Sequence, residues 1–511
     1  MITLSDEERF TGVDVARGSL YLVVQNVVGT LAGVLGYAFL ARFLSRVEMG
    51  VVAGLNLVAT LFVLVSGLGL FSTVVRFVSV RGRGSGALVY LLSALSASFP
   101  LCFVLSLVMF LFSCDFSGLL FKTSHYSVLF KLLSLDVLVV FLARFLVNFL
   151  WGLGRLRVLA VCNMVSSVVR WFFVVVLVWL DLGLDGVVLG WILGDFIRLL
   201  LLSFSSLRGQ AFDFGLLRKG WGISFSLLRF SFPLYISSII SFVYNWYDRV
   251  LILMFLPLGD LGVYDVAYKA FSVLGLIATA IGSALLPYYG RVYSRGGCET
   301  ISFSVRRVSR YSALIMFPLA MGLAVCAKPA LTLFAGYRYA LGWPVLAILS
   351  AFGLIYGVSV AFTNLLLIFG RTDKILIVNL VSVLSSLVLL PLLHYLGLCG
   401  LAVVRGVSMV SSFVLSLWFL SKVMRIEVDV RAVLHSFVAS VVMGCSVLLV
   451  ECIHYSVFFL PVYVLVGVVV YTILIRVMGV LDEKDALLLR RVFGDELVGF
   501  ILRLLGLYAV C

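Results

Sequence analysis

The sequence predicts an all-α polytopic membrane protein with about fourteen transmembrane helices. They form two parallel six-helix repeats, and two extra helices follow at the C-terminal end. Three observations predict this class. The 511 residues are 63% hydrophobic and only 12% charged, with a mean hydropathy of +1.20; a soluble domain is about half apolar and about a quarter charged. Apolar runs long enough to cross a bilayer recur along the whole chain. Short motifs of the first half return in the second half in the same order.

The runs are bounded by Gly, Pro or charge and fall at 18–40, 48–70, 87–112, 127–151, 157–180, 186–206, 230–256, 263–288, 309–334, 343–369, 374–396, 399–421, 433–452 and 457–478. Backbone groups in hydrocarbon must be satisfied within the segment, so continuous runs of this length are helices and not barrel strands. Ahead of the first run, Ser5-Asp6-Glu7-Glu8 has the pattern of a capping box. The acidic residues there also argue against a signal peptide, which would carry a basic start. The expected domain organisation is an amphipathic segment 1–17, a six-helix bundle 18–206, a linker 207–229 and a second bundle 230–421. Two further spans at 433–478 and an amphipathic tail at 479–511 complete it.

Basic residues set the expected orientation. With the N-terminus inside, the outer segments retain only Arg42, Arg46, Lys122, Lys131, Lys328 and Arg338, and most other Lys and Arg lie on the cytoplasmic side. Both termini are then cytoplasmic and the location is the cell membrane. The net charge of +14 follows from this bias and from contact with anionic membrane lipids, so no nucleic-acid partner is implied.

The internal duplication is carried by four matches. Phe43-Leu44 with Glu48-Met49-Gly50-Val51 returns as Phe255-Leu256 with Asp260-Leu261-Gly262-Val263. Phe99-Pro100-Leu101 returns as Phe317-Pro318-Leu319. Asn148, Gly154-Arg155 and Asn163 return as Asn364, Gly370-Arg371 and Asn379. Leu182-Gly183-Leu184 and Gly186 return as Leu396-Gly397-Leu398 and Gly400. Six helices is an even number, so both copies begin on the same side and the repeats are parallel, a transporter architecture. Pro100 and Pro318 are expected to bend their helices. Gly186, Gly190 and Gly194, at four-residue spacing, are expected to let two helices approach closely.

Ionisable side chains inside the bilayer cost several kcal/mol unless partnered, which makes each a functional candidate. The candidates for substrate binding are Arg144, Arg170, Arg249, Lys269 and Arg405, and those for ion coupling or counter-ions are Asp136 and Asp248. Asp265 and Lys269 have the spacing and order of an intrahelical pair, and Asp195 and Arg198 that of a structural pair three apart. Arg170 has no acid at helical spacing. Arg249 follows Asp248 directly and is displaced from it by about 100° around the helix. Leaving out the pair at Asp195, five bases face three acids, and a cationic ladder for an anionic head group is the reading of that surplus, because guanidinium forks match phosphate oxygens.

On these residues the chain resembles the Wzx-like, O-antigen-type lipid-linked oligosaccharide flippases. They form the polysaccharide-export group of the multidrug/oligosaccharidyl-lipid/polysaccharide superfamily. The resemblance spans about residues 10–480. It rests on the two halves, on the Gly-Arg-x7-Asn pattern at Gly154 and Gly370, and on Asp248-Arg249, Leu256, Leu261-Gly262-Val263-Tyr264 and Ala267. Pro257 departs from it, standing where such sequences commonly carry Gly. The resemblance implies transfer of an isoprenoid-(pyro)phosphate-linked glycan, the partner substrate, from the inner to the outer leaflet by alternating access. A coupling proton or sodium ion and other glycan-assembly proteins are possible partners under it.

Two other classes compete. An ion-coupled drug or metabolite antiporter of the same superfamily would use Asp136 or Asp248 to hold a cation, but the surplus of intramembrane bases opposes a cationic substrate. A polysaccharide polymerase or ligase is expected to need a larger outer loop than the short one around 113–126. The sequence offers no phosphate-cradling Gly-rich loop, no metal-ligand cluster and no nucleophile–base pair, so neither enzyme activity nor a cofactor is expected. His125, His394, His435 and His454 are isolated. The nine cysteines are scattered without CxxC spacing and read as packing residues.

Overall fold

The computed structural model describes residues 12–81, 85–207, 215–294 and 298–480. The capping-box motif at Ser5 and nearly all of the expected C-terminal tail lie outside them. The described residues are almost wholly helical and divide into two compact units, Met1–Val266 and Ala267–Cys511.

The first unit contains α1 (Gly12–Phe43), α2 (Arg46–Gly67), α3 (Leu70–Arg81), α4 (Ser85–Leu111), α5 (Ser113–Phe121), α6 (Ser127–Gly152), α7 (Leu156–Leu177), α8 (Gly183–Leu207), α9 (Gly215–Phe255) and the first turns of α10 (Leu258–Ser294). The second contains the remainder of α10 with α11 (Cys298–Val325), α12 (Ala327–Ala335), α13 (Trp343–Ile368), α14 (Thr372–Val388), α15 (Pro391–Ser421), α16 (Val430–Ile453) and α17 (Leu460–Val477).

Among the described residues, twelve helical stretches are long and apolar enough to cross a membrane. One of them, Leu156–Ser206, holds both α7 and α8. Every segment expected from the sequence falls on a helix, but several boundaries move. The stretch expected at 309–334 is broken at Cys326 into α11 and α12, and α9 already begins at Gly215, inside the expected linker. Pro100 and Pro318 lie within helices that continue past them.

The duplication is visible joint by joint. After α6, Gly154 takes φ 71°, its N–H donates to Trp151 O (3.0 Å), and the Arg155 N–H donates to Leu150 O (3.1 Å). After α13, Gly370 takes φ 67°, its N–H donates to Leu367 O (3.1 Å), and the Arg371 N–H donates to Leu366 O (3.0 Å). Both are Schellman caps, which need a residue in the left-handed region and therefore favour glycine. The Gly-Arg dipeptide of the repeat is thus a helix terminator. The nine-residue helices α5 and α12, which the sequence reading did not anticipate, occupy matching places after α4 and α11. Within each repeat the packing is also shared: α4 against α6 and α11 against α13, α6 against α8 and α13 against α15, α7 against α8 and α14 against α15.

A reciprocal contact joins the starts of α2 and α10. A Cβ on Gly50 would lie 2.1 Å from Leu258 O, and a Cβ on Gly262 would lie 2.0 Å from Arg46 O. Gly50 and Gly262 occupy matched positions of the duplicated motif, so each repeat places its glycine against the first carbonyl of the other repeat's helix. The entry to α2 is set by a capping box: Ser45 Oγ accepts from the Glu48 N–H (3.3 Å), and the Ser45 N–H donates to Glu48 Oε2 (2.7 Å).

The glycine row of α8 behaves as expected. Cβ atoms on Gly186, Gly190 and Gly194 would meet the α7 backbone at Leu177, Val174 and Arg170, at 3.0, 2.7 and 2.5 Å respectively. Cys102, Cys114, Cys162, Cys326, Cys399, Cys445 and Cys452 are free thiols.

Candidate functional site

Three helices of the first unit turn polar faces toward one another. On α1, Gln25, Asn26, Gly29 and Thr30 recur at the spacing of a single helical face. On α7, Asn163, Ser166, Ser167 and Arg170 form a stripe of the same period, and α8 adds Asp195 and Arg198 one turn apart. These ten residues line a polar cavity of about 270 Å³. The glycine row explains how the wall closes. Without a side chain at Gly194, the stem of Arg170 crosses directly over α8 beside Asp195.

The polar groups are wired together. Arg170 Nη1 stands 3.0 Å from Asp195 Oδ2, and Arg198 Nη1 stands 3.9 Å from Asp195 Oδ1. The Arg198 Nε–H donates to Asn163 Oδ1 (3.1 Å), and the Asn163 amide donates in turn to Gln25 Oε1 (3.2 Å). The Arg170 guanidinium also lies over the Trp191 ring, 5.2 Å from its centre, within the range of a cation–π contact. The Asp195 side chain is 3% exposed, whereas those of Arg170 and Arg198 keep 30% and 27%. The carboxylate is sealed into the wall and the guanidiniums open into the cavity.

Two other expected residues belong to this neighbourhood. Asp136, on α6, is 2% exposed, lies within electrostatic reach of Asp195 and Arg170, and has no hydrogen-bond partner for its Oδ1 among the described residues. Arg144, also on α6, lies within electrostatic reach of Arg198 and 5.6 Å from the centre of the Phe71 ring. The side chain of Asn148, one turn further on, donates to Arg144 O (2.8 Å).

A second cluster of the first unit surrounds Arg249. Its Nε–H donates to Asp265 Oδ1 (2.7 Å), and its Nη1 donates to Asp248 Oδ1 (3.3 Å). The hydroxyl of Tyr37 donates to Asp265 Oδ2 (2.6 Å) and that of Tyr264 to Asp248 Oδ2 (2.8 Å). Asp248, Arg249, Asp265, Tyr37 and Tyr264 are all buried. The angular separation of Arg249 from Asp248 does not keep them apart, because the long guanidinium stem folds back far enough to reach the neighbouring carboxylate.

The other two bases lie in the second unit. Arg405 on α15 is 3% exposed, and its Nη2 donates to the Tyr268 hydroxyl at 3.3 Å. Lys269 is half-buried on α10.

The structure adds two points to the sequence reading. Arg170, for which no acid stands at helical spacing on its own helix, is paired across helices with Asp195. The Asp195–Arg198 pair stands at 3.9 Å as expected and is also part of the cavity wall. Gln25, Asn26 and Asn163 escaped attention as site residues, although two adjacent amides in the middle of an apolar helix are a legible signal. No group of three or more His, Cys, Asp or Glu suited to a metal ion occurs among the described residues.

Comparison with known proteins places this architecture. The family model described as "Polysaccharide biosynthesis protein" matches residues 15–292, over half of the chain. The chain belongs to that family. The MatE model also matches residues 233–392, which sets the family within the multidrug/oligosaccharidyl-lipid/polysaccharide flippase superfamily.

Among curated relatives, the chain is 23% identical over 452 residues to the "Probable low-salt glycan biosynthesis flippase Agl15" of Haloferax volcanii, covering 84% of this chain and 89% of that protein. It is 26% identical over 312 residues to the "Succinoglycan biosynthesis transport protein ExoT" of Rhizobium meliloti, covering 61% and 60%. Among solved structures, "Lipid II flippase MurJ, inward closed conformation" superposes with a TM-score of 0.75 at 14% identity, covering 90% of this chain and 98% of that one. A eukaryotic MATE transporter, AtDTX14, superposes at 0.56 with 15% identity, covering 84% and 99%. These likenesses in structure are likenesses of fold.

Proposed function

We propose that this member of the polysaccharide biosynthesis family is a non-enzymatic flippase. It moves an anionic isoprenoid-(pyro)phosphate-linked oligosaccharide from the cytoplasmic to the outer leaflet of the cell membrane by alternating access, for cell-surface glycan assembly. The observation that carries the reading is the polar cavity of α1, α7 and α8. A membrane-spanning helix bundle has no structural need for two arginines, three amides and three hydroxyls around an open space, and intramembrane charge is expensive unless used. The names of the relatives support the same reading.

In this reading Arg170 and Arg198 meet the glycan of the substrate inside the cavity, and Arg144 stands close by. Arg249, Lys269 and Arg405 serve the passage elsewhere, with Arg249 held between Asp248 and Asp265. Asp136 and Asp248 are counter-ions to these bases and the places where a coupling proton or sodium ion would act. Both termini are cytoplasmic, and membrane lipids are the remaining partner. The match to the MatE model supports a second reading, in which an ion-coupled antiporter uses the same scaffold.

The deciding experiment reconstitutes the protein in liposomes and follows the crossing of a fluorescent isoprenoid-diphosphate-oligosaccharide, with and without proton or sodium gradients. Crossing that requires the protein and is lost in Arg170→Gln supports the flippase. Gradient-driven efflux of an organic cation, with no crossing of the glycolipid, replaces it with the antiporter.

A further inference from the structure

The α1–α7–α8 cavity has a composition that selects among the parts of a lipid-linked glycan. Its volume of about 270 Å³ lies below the range of about 300–1,000 Å³ typical of sites for drug-sized ligands. That space is on the scale of a single sugar residue. Around it stand three side-chain amides (Gln25, Asn26, Asn163) and three hydroxyls (Thr30, Ser166, Ser167). Amides and hydroxyls both donate and accept, as do the hydroxyl groups of a sugar.

The charge is specific as well. Arg170 and Arg198 against Asp195 leave one positive charge in the wall. Arg144 and Asp136 are not among the lining residues; Arg144 lies within electrostatic reach of Arg198, and Asp136 of Asp195 and Arg170. A diphosphate brings more than one negative charge and would meet the carboxylate of Asp195 within the same wall. One carboxylate matches the balance. It also matches the guanidinium in shape, since a planar two-oxygen anion accepts parallel N–H bonds from the arginine fork. Arg198 uses its Nε–H on Asn163 and keeps further N–H donors on a side chain open to the cavity.

We propose that this cavity is a subsite for a single acidic sugar, a hexuronate, within the transported glycan. Arg198 is the group that discriminates the carboxylate, and Gln25, Asn26 and Asn163 read the ring hydroxyls. The diphosphate is left to bases outside this cavity. This inference rests on the flippase reading and deepens it.

The test uses the full chain in liposomes and two probes that share one isoprenoid-diphosphate anchor, one bearing a hexose and the other the corresponding hexuronate. The expected result is that the hexuronate probe crosses at least tenfold faster at low substrate concentration. Free glucuronate should compete in the outer or inner bath, and glucose should not. Arg198→Gln should collapse the ratio toward one, and Arg198→Lys, which keeps the charge and loses the fork, should retain part of it. Equal rates for both probes in the unsubstituted protein overturn the acidic-sugar subsite and leave the flippase standing. Failure of both probes to cross removes the flippase reading itself and this inference with it. The rate ratio in the unsubstituted protein decides the matter even where a variant does not fold.

Discussion

Gly183 and Gly397, matched positions of the two repeats, take nearly the same backbone angles, φ 52° with ψ −129° and φ 55° with ψ −131°. The same offset leads from Asp195 and Arg198 to Met409 and Ser412, and the offset of the Gly-Arg motif leads from Arg170 to Ser386. The repeats therefore share their joints and differ in their charges. A cap or a close approach is a constraint of backbone geometry that both copies must meet to fold. A charge inside the membrane stabilises neither copy, so it persists where it is used. The glycine row obeys this rule in detail: Gly186, Gly190 and Gly194 on α8 correspond to Gly400, Val404 and Ser408 on α15. The first repeat alone keeps the gap at the third position, where the stem of Arg170 has to pass.

Changes at the shared joint between α2 and α10 should have the largest effect. Gly262→Val and Gly50→Val each drive a side chain into a backbone carbonyl that cannot rotate away. Both should cost about 3 kcal/mol or more, at the upper end of overpacking penalties, and by a similar amount. Thermal unfolding in detergent would reveal it, and unequal losses would break the reciprocity between the repeats. Gly118→Ala, on α5 with nothing within 4 Å of the new Cβ, should leave the melting temperature unchanged or slightly higher.

The next effect concerns the charges that differ. Arg170→Met should lower flipping at least tenfold and leave Asp195 buried without its nearer partner. The double change Arg170→Met with Asp195→Asn should recover thermal stability without recovering transport. Recovery of both would mean that the pair is structural, and the contrast between the repeats would lose its functional meaning.

Gly194→Ser makes α8 resemble α15. A Cβ there meets the Arg170 Cα at 2.5 Å, so the change should cost about 1–3 kcal/mol and displace Arg170. Combining it with Arg170→Ser, the pairing of the second repeat, should leave most of that loss in place in the same unfolding assay, because the Cα and Cβ that the new side chain meets remain.

The smallest expected effect is at the caps. Gly154→Ala and Gly370→Ala should each cost about 1–2 kcal/mol, the price of an L side chain in the left-handed region, and the same in both repeats. Unfolding that is insensitive at one cap and sensitive at the other would show that the two halves do not bear equally on stability.

The fold was largely legible because its signals are local. The apolar runs locate the helices, and Gly154-Arg155 and Gly370-Arg371 mark their ends. The boundaries that moved are also instructive. The break at Cys326 has no Gly or Pro at the junction residue, and α9 starts at Gly215 within a polar interval, so hydropathy alone reveals neither.

The candidate site was legible only in part. Arg170, Arg144 and Asp136 stand out because a charge in an apolar run is conspicuous in one dimension. Asp195 and Arg198 were read as an isolated pair, because sequence spacing reports only which residues share a face of their own helix. Which faces meet depends on how closely helices can approach, and that is decided by side chains absent from the contact, such as those missing at Gly190 and Gly194.

The sequence by itself determined the membrane class, the helical segments, the duplication and the inventory of buried charges, since each follows from hydrophobicity and spacing along one chain. Only the tertiary structure decided that Arg170 finds Asp195 across two helices, that Asn163 links Arg198 to Gln25, and that Arg249 is held between Asp248 and Asp265. Apart from Asp248, which adjoins Arg249, those partners lie 16 or more residues apart, and helix packing is what brings them within 4 Å.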